Sequence, residues 1–419
     1  MKNIMKGTLE EKNVAIVLAT SVFFLTTFSI VSLICWAGLL FYAGSKGDFN
    51  GFLNKLLKAP IYFCLVQLYL FYLVGMLWTE NYSIGWDDLA IKIPMLLFPF
   101  LFLSLPIGRF SYELVRRALI HGCLFAVILC FLRASNHYLV NHEIHNFYYT
   151  SFSYLMHPTY FTMFINLAIL WLLDELLHSE TLSLKKKIGD LFLLFIFIVA
   201  VSVLSARLAM LTTFFTMIVF VLLEAIKRKN LKKMLPSILT GGVAVFLVSF
   251  FFINLNNRFI QMADVIENKV DPTALKDTVN NTTYNSTTIR IGLFKNGLAI
   301  FKEHLWFGVG TGDVVPVSVK RLNDEGLHVL ATKSHSAHNQ YLQTAVALGI
   351  FALLLLILCI GWPLYEFLKA KEYLFAAFMM IVLINAMGDT VLRASSLYFF
   401  TLFGCFFYRI FQKNSIKKM

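Results

Sequence analysis

Residues 335–364 read HSAHNQYLQTAVALGIFALLLLILCIGWPL. The first third is polar and carries two histidines three residues apart. From Ala345 onward the chain is apolar for 20 residues, which is the length that crosses the hydrocarbon core of a bilayer as a helix, about 20 residues. The junction between the two halves therefore sits at a membrane surface, and it sets two questions: what the rest of the chain does in a membrane, and why two histidines stand at its lip.

The first has a compositional answer. Of 419 residues, 58% are hydrophobic and 14% charged, against about 45–50% and about 25% in a soluble domain. Apolar runs lie at 14–43, 60–78, 89–105, 113–134, 157–176, 188–204, 208–226, 235–255, 338–366, 373–391 and 396–411. This is the pattern of an all-α polytopic membrane protein. A β-barrel would show short alternating segments instead. The first run is too long for a signal peptide and lacks a small-residue cleavage site. The six cysteines all fall inside apolar runs without CxxC spacing, so neither a disulfide framework nor a thiolate metal site is expected. The net charge of +12 does not point to nucleic acid, because most Lys and Arg sit in short connectors, where they set topology.

Basic connectors alternate with connectors poor in basic residues. Lys46, Lys55 and Lys58, then Arg109, Arg116 and Arg117, then Lys185–Lys187, then Lys227–Lys233, then Lys369 and Lys371 mark one side. The positive-inside rule makes that side cytoplasmic. Connectors 79–88, 135–156, 205–207, 256–337 and 392–395 then face outward. The 14–43 run either crosses twice, as two short helices broken near Thr26-Thr27, or leaves the N-terminus outside. The expectation is 11–12 transmembrane helices. Residues 1–255 form an N-terminal set, 256–337 a large outer loop with short helices, and 338–419 a C-terminal set. Within the loop, apolar positions from Ile289 to Leu305 keep a helical period; FGVGTGD, residues 307–313, breaks it, and a second short helix is expected near 316–324.

Charge at membrane depth or at its lip is expensive and marks function by default. The outward lip is unusually well supplied. Arg207 separates two apolar runs with almost no connector, Arg290 begins the loop helix, Arg393 sits in the tight turn GDTVLRASS, and Arg258 follows an apolar run directly. His335 and His338 end the outer loop. Guanidinium forks pair bidentately with phosphate oxygens, and each hydrogen bond to a charged group contributes about 1.5–3 kcal/mol. Such a set would hold a lipid-linked pyrophosphate and stabilise the charge that develops as it leaves. A histidine, with an ordinary pKa of about 6.5, is suited to take a proton from an attacking hydroxyl. The chemistry this spells is glycosyl transfer from a lipid pyrophosphate. The plainer reading of each arginine alone is that it snorkels to lipid headgroups.

The pattern His338-Asn339, nine residues, then Gly349 resembles the signature of the bacterial O-antigen ligase and O-antigen polymerase superfamily. SARLAMLTTF at 205–214 resembles its arginine-bearing turn, and TIRIGLFKNGLAIFKEHLWFGVGTGD at 288–313 resembles the segment carrying its second essential arginine. LWTENYSIGWDDLAIKIPMLLFPFLFLS at 77–104 and HPTYFTMFINLAILWLL at 157–173 look like ligase-family proteins of the Bacteroides type. The resemblance spans roughly 60–410. It departs at Ala352, where the family often has a second glycine.

The resemblance implies an inverting glycosyltransferase with a GT-C-type membrane fold and no metal or other cofactor. It implies an undecaprenyl-pyrophosphate-linked glycan donor and, as acceptor, lipid A–core or another glycan. It places the protein in the bacterial inner membrane, multi-pass, with the active site facing the periplasm. His338 then takes the place of the base and Arg207 and Arg290 those of the pyrophosphate ligands, with Arg393 and Arg258 as further candidates. His335, Asn339 and His157 are expected to support the site or meet the acceptor. Polymerisation of repeat units, glycan transfer to protein, and transport of a lipid-linked glycan stay open beside ligation. The transporter reading lacks its usual internal repeat. His142 and His145, at i, i+3, would share a helix face as metal ligands only if a further ligand joined them. Asp87-Asp88 are expected to cap a helix and match its dipole.

Overall fold

The computed structural model describes residues 8–45, 54–178, 183–229, 286–334 and 336–416. The 235–255 run, Arg258 and His335 lie outside the described residues. Among those described, helices account for the fold and no strand occurs. Among the described residues, six helices are long and apolar enough to cross a membrane: Pro60–Trp78, Arg109–Asn141, Pro158–His178, Leu184–Leu204, Arg207–Lys227 and Gln340–Lys369. Ser29–Ser45 and Tyr373–Asn385 are shorter apolar helices. The protein is an all-α polytopic membrane protein.

Pro158–His178 is its axis. Every residue from Pro158 to Leu172 is buried, as expected of a helix apolar on all sides. Arg109–Asn141, Leu184–Leu204, Arg207–Lys227, Tyr373–Asn385 and Ala394–Ile416 surround it. The phenylalanines supply much of the packing: Phe164 meets Phe399 edge-on at 4.9 Å between centroids, Phe375 stacks on Phe407 at 4.7 Å, and Trp171 meets Phe407 at 5.5 Å. Such aromatic pairs add about 0.5–1.5 kcal/mol each beyond the area they bury.

The 14–43 run forms two helices, Leu9–Phe24 and Ser29–Ser45, which pack on each other. Thr26 sits in the break and donates to the carbonyl of Gly122 at 3.2 Å. The 89–105 run is not one helix. It is shared between Tyr82–Lys92 and Pro94–Ser104, because Pro94 lacks the N–H that would continue the first and is pre-set to begin the second. Asp87 and Asp88 consequently lie inside a helix rather than capping one. Asn81 is the N-cap residue, and Asp88 pairs with Lys92 one turn on. The helical period of the outer loop becomes Ser286–Glu303, and the second helix is Val314–Asp324.

The quoted stretch holds a feature that periodicity does not reveal. Gln340–Lys369 is interrupted at Gly349, whose φ of 77° and ψ of −168° belong to a region open essentially to glycine alone. The interruption frees main-chain groups at membrane depth, where each must find a partner within the protein. The segment 305–310 supplies them. Val309 and Gly310 donate to the carbonyls of Val346 and Ala347, both at 2.9 Å, and Ile350 donates to the carbonyl of Leu305 at 2.9 Å. FGVGTGD is thus threaded against the broken helix. Asp313 closes the thread by accepting from the amides of Glu80 and Asn81 at 2.7 and 2.9 Å and from the Asn81 side chain at 2.6 Å.

A Cβ on Gly349 would run into the carbonyl of Trp306. Gly349→Ala combines that overlap with a backbone strain of about 1–3 kcal/mol. The expected result is loss of the monodisperse, detergent-solubilised protein on gel filtration, or a fall of several degrees in its thermal midpoint. An unchanged midpoint would contradict the threaded arrangement. Ala352, where the resemblance would favour glycine, is fully buried, so close packing at that turn is met by alanine.

Candidate functional site

His338 stands just outside the helix that Asn339 caps. The Asn339 side chain accepts from the Leu342 amide at 2.9 Å, meeting one of the unpartnered amides of the first turn. Its amide group donates to the carbonyl of Met387 at 3.0 Å. Gln340 fastens the same end twice more, donating from its backbone to the carbonyl of Ala386 and accepting from the Leu392 amide, each at 2.8 Å. These bonds clamp the polar head of the quoted stretch onto the turn 386–393. His338 is held there with φ 47°, the left-handed conformation that few residues other than glycine and Asn adopt at low cost.

The clamp sets His338 beside Asp389. Nδ1 of His338 is buried, makes no hydrogen bond, and lies 3.9 Å from Asp389 Oδ1. At that distance the pair is a charge contact rather than a hydrogen bond. The other carboxylate oxygen lies 3.8 Å from Nδ1 of His157, which precedes the axial helix. Asp389 also accepts from the Thr390 amide at 2.8 Å. One buried carboxylate therefore faces two half-buried imidazoles. Burial pushes the Asp389 carboxyl upward, but His338, His157, the Thr390 amide and Arg290 together hold it below its ordinary value. Burial also lowers the pKa of His157, against Asp389 and with help from Arg290 and His338.

The arginines approach the same turn from the other flank. Arg290 donates to the carbonyl of Gly388 at 2.8 Å. Arg207 opens the helix Arg207–Lys227 after Ser205 turns the chain at φ 49°. It donates to Thr287 at 2.9 Å, one helical turn before Arg290. Gly388 rests against the Leu208 side chain. Arg207, Thr287, Arg290 and the Gly388-Asp389 turn thus form one connected group, with His157 and His338 on the carboxylate. Arg393 lines a cavity with Asp87, Asp88 and Lys92.

Residues 192–357 match the family model described as O-Antigen ligase. Over these residues the chain is similar to the O-antigen ligase superfamily. The matched segment holds Arg207, Arg290, His338, Asn339 and Gly349. His157, Asp389 and Arg393 lie outside it. No curated protein matches the chain.

Asp389 is the residue of this group that reading the sequence missed. It stands in the quoted turn GDTVLRASS, where Arg393 alone drew notice. The available signal was a lone carboxylate in a turn between two spans, where ionisable groups are costly. His142 and His145 do not share a helix face: His142 ends the helix Arg109–Asn141 in the left-handed region, and His145 lies in the 3-10 turn Ile144–Phe147. No group of three metal-ligating side chains occurs among the described residues.

The Asp389 arrangement has a pH signature. A carboxylate held below its unfolded value of about 3.9 contributes stability that is fully present above that value. The contribution is lost as pH falls through the lowered folded value. Asp389→Asn removes it. The gap in thermal midpoint between wild type and variant should be constant from pH 7 to about 5 and close as pH drops below about 4. A gap independent of pH down to 3 would show that Asp389 carries no charge in the folded protein.

Proposed function

We propose that this protein is a metal-independent, inverting glycosyltransferase of the O-antigen ligase type. It moves glycan from undecaprenyl pyrophosphate onto an acceptor hydroxyl, with lipid A–core as acceptor, at the periplasmic face of the bacterial inner membrane. The observation that carries the reading is the Asp389 turn, which His338 faces and Arg290 ties down, with Arg207 bonded to Thr287 one helical turn before Arg290. The domain match supports the reaction class, and the helical membrane fold accords with the GT-C-type architecture.

In this reading the acceptor oxygen attacks the anomeric carbon of the donor sugar from the face opposite the pyrophosphate. The bond to the pyrophosphate oxygen breaks, and the electron pair leaves with the pyrophosphate. His338 takes the acceptor proton. Asp389, facing Nδ1, favours the tautomer that leaves Nε2 basic and steadies the imidazolium once it forms. Catalytic contacts of this kind are often long before substrate arrives and shorten with it. Arg207 and Arg290 bear the charge that grows on the leaving group. Burial keeps His157 neutral near pH 7, so it serves as a hydrogen-bonding wall of the acceptor side. Arg393 is the further pyrophosphate candidate. The helices Ser286–Glu303 and Val314–Asp324 flank the site on the side of Arg290.

Deletion of the gene tests the acceptor. A lipopolysaccharide gel showing intact core without long chains is the expected result. Core bearing a single repeat would indicate a polymerase instead, and unchanged lipopolysaccharide a protein or other acceptor.

A further inference from the structure

A second polar compartment abuts the same turn. It is a cavity of about 610 Å³, within the range of about 300–1,000 Å³ typical of small-molecule sites. Its walls come from the helix Tyr82–Lys92, the thread at 311–312, the start of Val314–Asp324, the head of Gln340–Lys369, and Leu392-Arg393. The 386–393 turn is therefore shared. Its Gly388-Asp389 end meets Arg290, His157 and His338, while its Leu392-Arg393 end lines this cavity.

The two compartments differ in charge. The Arg207–Arg290 group sets two guanidiniums against one carboxylate and suits an anion. In the cavity, Asp87 and Asp88 oppose Lys92 and Arg393, so the formal charges cancel. Lys92 is buried at 3% exposure, paired with Asp88 and set 4.3 Å above the Tyr72 ring. Gln343 and Thr311 add neutral polar groups to the wall. A diphosphate would meet the two aspartates there, and a cation would meet Lys92 and Arg393. A neutral ligand dense in hydroxyls meets neither obstacle. Carboxylates accept from hydroxyls, and amide and ammonium groups donate to them.

We propose that this cavity binds the acceptor sugar, with Asp87 and Asp88 accepting from its hydroxyls, the Gln343 amide group donating to them, and Lys92 holding Asp88 in place. The proposal deepens the transferase reading and rests on it. It gives the shared turn a purpose: donor diphosphate on one flank, acceptor hydroxyls on the other, and His338 on the clamp between. Ile84 in the cavity wall is exposed at 44%; Trp86 two residues on is exposed at 60%, and Trp306 and Phe307, at the start of the thread, at 60% and 66%. Aromatic side chains of this kind gather at membrane–water interfaces, which places the cavity at the height of a glycolipid headgroup.

The test is direct binding to the full-length protein in nanodiscs, by calorimetry and saturation-transfer NMR. Two free probes are used: the core oligosaccharide released from the strain's own glycolipid, and a single repeat-unit oligosaccharide. One of them should bind wild type. Binding should fall at least tenfold in Asp87→Ala, which is exposed and makes no hydrogen bond or ion pair among the described residues, and in Ile84→Trp, which puts a larger side chain in the cavity wall. Binding of the core assigns the pocket to a glycolipid acceptor, and binding of the repeat to a growing chain. Failure of both probes to bind, or equal binding by both pocket variants, overturns the proposal. Glycan transfer by wild type is measured alongside. Its absence with probe binding intact would count against the transferase reading alone.

Discussion

Replacing His338 by alanine should lower glycan transfer by roughly 10²–10⁴-fold, the range that a positioned general base contributes. The size of the effect follows from position. The side chain is 29% exposed and its Nδ1 faces a buried carboxylate, so one ring edge is engaged by the protein and the other is left for substrate. Because His338 sits at φ 47°, alanine also disturbs the backbone. His338→Asn separates the two effects, since Asn tolerates the left-handed region but is no base. Both variants should reach the membrane at wild-type levels, and both should lose transfer. Recovery of activity in the Asn variant would assign His338 a purely conformational part.

The second large effect is at the arginines. Arg207→Ala and Arg290→Ala should each lower kcat/KM for the lipid donor by roughly 10- to 150-fold, the equivalent of one charge-assisted hydrogen bond of about 1.5–3 kcal/mol. Lysine should not restore it, because an ammonium cannot present the bidentate fork. The two sites are not equivalent. Arg290 also ties down the Gly388 carbonyl, so its loss should alter the pH profile that His338 and Asp389 set. Loss of Arg207, which meets Thr287, should leave the profile in place. Donor titrations at several pH values read both consequences. Identical profiles for the two variants would mean that Arg290 has no hold on the catalytic turn.

Much of this was legible in the chain. Long apolar runs and alternating basic connectors gave the membrane class, because the bilayer imposes a length and a charge rule on every crossing. His338 and the two arginines were visible as charge at the lip of spans. Three features were not. The break at Gly349 lies inside an uninterrupted apolar run, and what permits it is a set of amides some 40 positions earlier in the chain. Asp389 reads as the end of a helix until the fold brings His157 and His338 to it from distant segments. Lys92 and Asp88 look like an ordinary i, i+4 pair, and only packing reveals that the lysine is buried in a cavity wall. Each miss is a long-range contact, and periodicity carries no information on those.

The central claim is that His338 and a cationic clamp, without a metal, transfer glycan from a lipid pyrophosphate. The measurement that meets it most directly uses purified protein, undecaprenyl-pyrophosphate-linked glycan and core glycolipid, with excess EDTA. Wild type should form the extended glycolipid and release undecaprenyl pyrophosphate, and His338→Ala should form none above background. Transfer that disappears with EDTA and returns with a divalent cation, or that persists in His338→Ala, would contradict the account.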